Sequence, residues 1–256
     1  MSTTNETVSP LNAGIIKDNL VSGNVSVEIF DTVASTNSYA KEIAMEGLSN
    51  PTLICAEHQS AGRGRLGRNF YSPDSTGLYM SLAFSTNTRM ADAVTITSAA
   101  AVAVCRAIES MCCIKCQIKW VNDIYYNGKK ICGILTEAFA ANDSNIIVVG
   151  IGVNCTTEVF PEDIAHIAGS IGKIDRNILA AKITDNLLFY AKELQCRSFM
   201  KEYRIRSIVM DKDITYYSNG AAHYAHVIDI TDDGALLICE NGENKTLSTG
   251  EITIRF

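Results

Sequence analysis

The chain has 256 residues, 47% apolar and 20% charged, enough for one sizeable core and a small second one. Twenty-two basic against 28 acidic side chains leave a net charge of −6, which argues against a broad electropositive face for duplex nucleic acid and makes a local anion site the expectation. No apolar run reaches the roughly 18 to 20 residues that span a bilayer, and no secretory pattern opens the chain, so a cytoplasmic protein without membrane contact is expected.

Taken in order, the chain is polar through Val8, then carries a short helical pattern over Leu11–Leu20 and a strand-like alternation over Val25–Phe30. After a turn at Asp31–Asn37, Ser38–Met45 reads as a helix, Gly47–Pro51 breaks it, and Thr52–Glu57 reads as a buried strand. A long loop bearing Gly and Arg leads to a strand at Leu78–Phe84 and an extended helix at Ala91–Met111. Lys115–Trp120 and Lys130–Phe139 flank a turn at Tyr125–Gly128 and form the expected sheet centre, joined by a strand at Asn145–Val153 that ends in Asn154. Arg176–Leu194 has the spacing of a helix that covers the sheet. Beyond Tyr203 the pattern changes to short strands at Ile208–Tyr217, Ala222–Thr231, Ala235–Glu240, Lys245–Leu247 and Glu251–Ile254, separated by Gly-containing turns. The expectation is an α+β fold, a mixed β-sheet flanked by helices over residues 1–204, with a small all-β module over 205–256.

The nine cysteines sit mostly in apolar sequence and read as reduced core thiols; Cys112, Cys113 and Cys116 have no His nearer in sequence than His58 or His166 to complete a zinc site. The strongest local feature is Gln59-Ser60-Ala61-Gly62-Arg63-Gly64-Arg65-Leu66-Gly67-Arg68, where glycines permit close backbone approach and guanidinium groups suit phosphate oxygens. Its spacing matches neither a dinucleotide fingerprint nor a Walker loop. A second feature is Lys119-Trp120-Val121-Asn122-Asp123, at a strand-to-turn edge that can present a charge to a ligand, with Trp120 as a wall residue. Ser35-Thr36-Asn37 precedes a helix and can cap it or meet a ligand, and Gly150-Ile151-Gly152-Val153-Asn154 closes a strand. His58 is the only histidine beside the loop, and an ordinary surface or supporting role is expected of it.

Together these segments, with Lys130-Ile131-Cys132-Gly133-Ile134-Leu135, stand in the order found in the biotin protein ligase family, which the chain closely resembles over Asp31–Asn154 and more loosely in its β tail. Two departures are Val121, where the family commonly has Pro, and Phe70, where Trp often occurs. The resemblance implies a catalytic fold like that of class II aminoacyl-tRNA synthetases, with an SH3-like β-barrel at the end. It also implies biotin and ATP bound side by side, formation of biotinyl-5′-AMP, and transfer to a lysine of a biotin carboxyl carrier protein. Carried over by position, Lys119, Arg63 and Arg65 are the catalytic residues. Ser35, Thr36, Asn37, Gln59, Gly62, Arg63, Gly64, Lys119 and Gly133 are placed at biotin. Arg63, Arg65, Gly67, Arg68, Phe70, Lys119, Asn122, Lys130 and Asn154 are placed at ATP or the adenylate, and Asp123 at Mg²⁺. The Gly- and Arg-rich loop is expected to lack order when empty.

Longer members of that family carry an operator-binding module ahead of the catalytic core; with 34 residues before Ser35, this chain is expected to be a ligase without DNA binding. A homodimer is compatible with the resemblance. The competing readings are a lipoate or octanoate ligase of related fold and a noncatalytic biotin-binding protein.

Overall fold

The computed structural model describes residues 9–86, 93–141, 144–218, 220–248, 250 and 252–254. A seven-stranded mixed sheet carries the fold, built from β1 (Ser26–Val33), β2 (Thr52–Gln59), β3 (Gly77–Thr86), β4 (Gln117–Lys119), β5 (Asp123–Tyr126), β6 (Lys129–Ala141) and β7 (Ser144–Asn154). The spatial order is β1-β2-β3-β7-β6-β5-β4; β1 and β2 are parallel and all other neighbours are antiparallel.

Because side chains alternate along a strand, each strand feeds two layers. Leu53 and Cys55 of β2 and Ile147, Val149, Ile151 and Val153 of β7 face the main core, where α3 (Ala93–Met111) and α5 (Arg176–Lys192) pack. The opposite face offers Ile54, Ala83, Ile146 and Val148 to Ala40 and Ala44 of α2 (Thr36–Glu46). This second layer is small, because α2 covers only one end of the sheet. The uncovered remainder of that face is where the cavity lies.

The amino-terminal helix α1 (Ala13–Asn19) starts at Asn12, whose side chain accepts a hydrogen bond from Ile15 N at 3.0 Å. Its approach is held by Arg176 of α5, fully buried, which pairs with Glu57 at 2.6 Å and also donates to the carbonyls of Gly77 and Ser9. Such a pair is stable only because each charge finds several partners.

Three features differ from the sequence expectation. The segment Tyr125–Gly128 is not all turn: Tyr125 and Tyr126 belong to β5, and the reversal is Asn127-Gly128, both at positive φ (48° and 74°). Two short helices, α4 (Glu162–Ala165) and α6 (Met200–Arg206), occupy stretches that carried no helical signal. Finally, Val94–Met111 of α3 is long and apolar enough by length and composition to cross a membrane, contrary to the expectation that no run qualifies; 72% of it is buried inside the protein as the core helix.

The carboxyl-terminal module is a five-stranded antiparallel sheet in the order β11-β10-β9-β8-β12, in keeping with an SH3-like unit. Its strands are β8 (Asp213–Ser218), β9 (Ala221–Ile230), β10 (Leu236–Glu240), β11 (Glu243–Leu247) and β12 (Ile252–Ile254). It starts later than the apolar run suggested, because Ile208 N donates to Ile118 O of β4 at 2.9 Å and so serves the main sheet. Trp120, the sole tryptophan, anchors the module through Nε1 to the Gly234 carbonyl at 2.8 Å.

Candidate active site

A cavity of about 360 Å³ opens on the face of the sheet that α2 leaves bare. Its floor follows from strand alternation: Gly150, Gly152 and Asn154 point the same way along β7, as do Gly133 and Leu135 along β6, with Val148 and Glu137 next in line on the same face but beyond the cavity. The register sets Gly133 opposite Gly152, and Ser81, Gly150 and Leu135 in the adjoining row. The floor is bare where the glycines meet, and Phe70 lies over it; a Cβ at Gly152 would stand 2.3 Å from the Phe70 ring, and one at Gly133 3.1 Å.

At one end stands a cluster of polar groups in which Ser35, Thr36, Asn37, Ser72 and Ser81 are buried and Gln59 and Glu137 half-buried. Ser35 caps α2 through a long bond from Ser38 N (3.4 Å), while the N–H and hydroxyl of Thr36 donate to Gln59 Oε1 at 2.9 and 3.1 Å. Gln59 Nε2 donates to Ser72 Oγ at 2.9 Å. Ser81 Oγ lies 2.8 Å from Thr36 Oγ1 and 2.9 Å from Asn37 Oδ1, sharing one proton, and Asn37 Nδ2 donates to Glu137 Oε2 at 2.7 Å. Buried polar groups must be paired, and here they pair mostly with one another, holding fixed donors and acceptors toward the cavity.

The other end is cationic. Arg63, Arg65, Arg68, Lys119 and Lys130 all line the cavity; Lys130 pairs with Asp123 at 2.7 Å. Arg65 donates to Asn122 Oδ1 at 3.1 Å and to the Gly250 carbonyl at 3.4 Å, so the loop touches both the sheet edge and the β module. Tyr217, Ile252 and Thr253 of that module complete the wall. Residues 62–70 close on themselves: Gly64 N donates to Arg68 O at 2.7 Å and Phe70 N donates to Gly62 O at 2.9 Å. The turn places Leu66 at φ 55° and Gly67 at φ 74°. Desolvation, with Asp123 adding to it, pushes the neighbouring Tyr125 hydroxyl up to about 12, and burial holds the Cys132 thiol well above its ordinary range, so neither is an acid or base near neutral pH.

The model of the Biotin/lipoate A/B protein ligase family matches residues 29–154, which contain most of β1 and every later strand of the main sheet. The bifunctional ligase/repressor BirA of Bacillus spizizenii is 34% identical over 224 residues, covering 81% of this chain and 67% of that protein. The chain belongs to the biotin/lipoate A/B protein ligase family. Another relative in this family, the Biotin--[acetyl-CoA-carboxylase] ligase of Mycobacterium tuberculosis, is 26% identical over 263 residues, 95% of each chain. In fold, the Aquifex aeolicus biotin protein ligase solved in complex with biotin and ATP matches with a TM-score of 0.76 at 24% identity, over 90% of this chain and 98% of that one.

Of the residues singled out by the family resemblance, all but two line the one cavity. Gly62 lies behind its wall, where a Cβ would meet Phe70 O at 2.5 Å and Ser72 Oγ at 2.7 Å, and Gly67 sits at the loop tip with open space around it. Both serve the loop's path, Gly62 through close packing and Gly67 through its positive φ. His58 does not line the cavity either. Asn154 does, and donates to the Gly169 carbonyl at 3.0 Å. Sequence reasoning missed Ser81 and Glu137 and left the role of the β module open. Glu137 was within reach, since counting by twos along β6 from Gly133 marks its face of the sheet; Ser81 lies on β3 and comes to that face only through its pairing with Gly150. As a metal site the cavity is poorly equipped: Asp123 Oδ1 already pairs with Lys130, and among the described residues no three His, Cys, Asp or Glu side chains stand together.

Proposed function

We propose that this chain is an ATP-dependent biotin protein ligase: it converts biotin and ATP to biotinyl-5′-AMP and pyrophosphate, then transfers the biotinyl group to a lysine of a biotin carboxyl carrier domain. The observation that carries this reading is one cavity with a buried set of fixed polar groups at one end and five cationic side chains at the other. The names of the relatives above support it.

The first step joins two anions. A biotin carboxylate oxygen attacks the α-phosphorus and the bond to pyrophosphate breaks, so the protein's main task is to neutralise charge and hold the groups in line. We assign Lys119 to the carboxylate and α-phosphate, Arg63 and Arg65 to the adenylate, and Arg68 to the pyrophosphate side. In the second step the acceptor amine attacks the acyl carbon, the bond to AMP breaks, and the amine proton leaves. Ser35, Thr36, Asn37 and Gln59 would meet the biotin ureido group, while Phe70, Asn122, Lys130 and Asn154 would border the nucleotide. Mg²⁺ fits best as a companion of the ATP phosphates, a hard cation brought with the substrate, with Asp123 as at most one ligand.

The lipoate alternative is disfavoured by the same polar end. A dithiolane ring has no donor or acceptor to match the polar wall formed by Asn37, Ser35 and Gln59, so that end of the cavity would contribute no hydrogen-bond recognition to its binding. The net charge of −6 supports ligase activity without DNA binding. The deciding experiment is incubation of the protein with biotin, Mg-ATP and a biotin carrier domain, read by intact mass. A single biotinyl addition to the carrier, dependent on ATP and not competed by lipoate, is expected; an unmodified carrier, or lipoyl transfer in its place, would reject the proposal.

A further inference from the structure

Glu137 lies on β6 just outside the cavity wall, yet it touches both ends of the site. Its Oε2 accepts from Asn37 Nδ2 at 2.7 Å and from Arg63 Nη1 at 3.4 Å, while Oε1 takes Lys41 Nζ at 3.0 Å. We propose that Glu137 is a positioning residue that couples the Gly- and Arg-rich loop to the polar end of the pocket through this one shared oxygen; the inference deepens the ligase reading above and rests on it for its substrates.

The chemistry of the contacts supports two distinct tasks. A carboxylate only accepts, so it turns the Asn37 amide with Nδ2 toward itself and Oδ1 toward Ser81, and thereby decides which groups Asn37 shows the cavity. Toward Arg63 the carboxylate acts as a tether. That contact is the longest of the three, and the Arg63 side chain is 46% exposed, so it is the one that yields first. An oxyanion entering the cavity offers Arg63 a replacement partner, and the oxygen it leaves then serves Asn37 alone. Loop position and pocket order are therefore linked, and linkage acts equally in both directions. Lys41 tunes the tether by competing for the same negative charge.

The test uses the full chain. Glu137→Gln keeps the shape and an acceptor for Asn37 but removes the charge that holds Arg63. In ligand-free protein, amide hydrogen exchange over residues 62–69 should quicken by about threefold or more, with α5 unaffected. Lys41→Met should slow the same amides, because Arg63 then has the carboxylate with less competition. Unchanged loop exchange in both variants overturns the tether, whatever substrate the protein uses. In pyrophosphate-release kinetics, Glu137→Gln should raise the KM for biotin about tenfold, the difference between a charged and a neutral hydrogen bond. Adding Arg63→Ala to that variant should change the KM less than Arg63→Ala does alone. Strictly additive effects overturn the coupling. A wild-type protein that consumes no biotin refutes the ligase reading instead, and the exchange measurement still decides on the tether.

Discussion

Replacing Gly150 with Ala probes the polar end of the site by adding one methyl group. The backbone there is not in the left-handed region, so space alone decides the outcome. The new Cβ would stand 2.3 Å from Asn37 Oδ1 and 2.9 Å from its Cγ. Asn37 must retreat about 0.7 Å to reach even 3.0 Å, yet it is buried and tied to Glu137 at 2.7 Å and Ser81 at 2.9 Å. Losing the charged bond is worth about 1.5–3 kcal/mol and the neutral one about 0.5–1.5 kcal/mol, with partial relaxation returning some of it. A net effect of about 2–3 kcal/mol, if it falls on ligand binding, raises the KM for biotin about 30- to 150-fold. If it falls on folding instead, the midpoint of thermal unfolding drops by about 4–10 °C. Pyrophosphate-release kinetics and a melting curve on the same preparation separate the two. Gly152→Ala is the matched control, since its Cβ meets the outer edge of the Phe70 ring, which can swing aside. A Gly150→Ala protein with wild-type biotin KM and wild-type melting would refute the steric reasoning.

Lys119→Ala should lower adenylate formation and transfer by about a hundredfold or more while leaving the melting temperature nearly unchanged, because it removes a charge from the reacting groups and not from the core; equal biotinyl-AMP production by the variant would end that role. Arg65→Gly cuts the bonds to Asn122 and Gly250, and more free biotinyl-AMP should appear in solution during turnover, with no rise counting against the loop as a cover. The β module should loosen in acid. Glu240 bonds Lys245, His223 and Tyr216, which hold its carboxyl down at about 2 from an ordinary 4.5. The stability it contributes is therefore complete above about pH 4.5 and is lost as pH falls toward 2. Fluorescence of Trp120, bonded to Gly234 in that module, should report the loss, and a Glu240→Gln variant should show a flatter acid response; superimposable profiles would contradict this.

Much of this architecture was legible in the residues, for identifiable reasons. The long helix α3 and the strands β3 and β7 carry strong apolar patterns, and packing did not override them. Asn127-Gly128 marked a hairpin, but its width was misjudged because Tyr125 and Tyr126 sit in a strand of only four residues, too short to show alternation. The cationic and glycine-rich half of the site announced itself through local composition. Its polar half was partly hidden: Ser81 and Glu137 are single polar residues inside apolar strands, and only the register between strands reveals that they meet Asn37. Contacts made by Tyr217 and Gly250 join parts of the chain far apart in sequence, and no local pattern encodes them.

The meeting of Gly133 and Gly152 has a consequence for altering selectivity. Two residues without side chains leave only main-chain atoms beneath Phe70, so redesign there can add bulk but has nothing to remove or exchange. New ligand preferences would have to be introduced from the sides, through Phe70, Leu135 or the Arg-bearing loop, with the strand pair itself serving as an unchanging template.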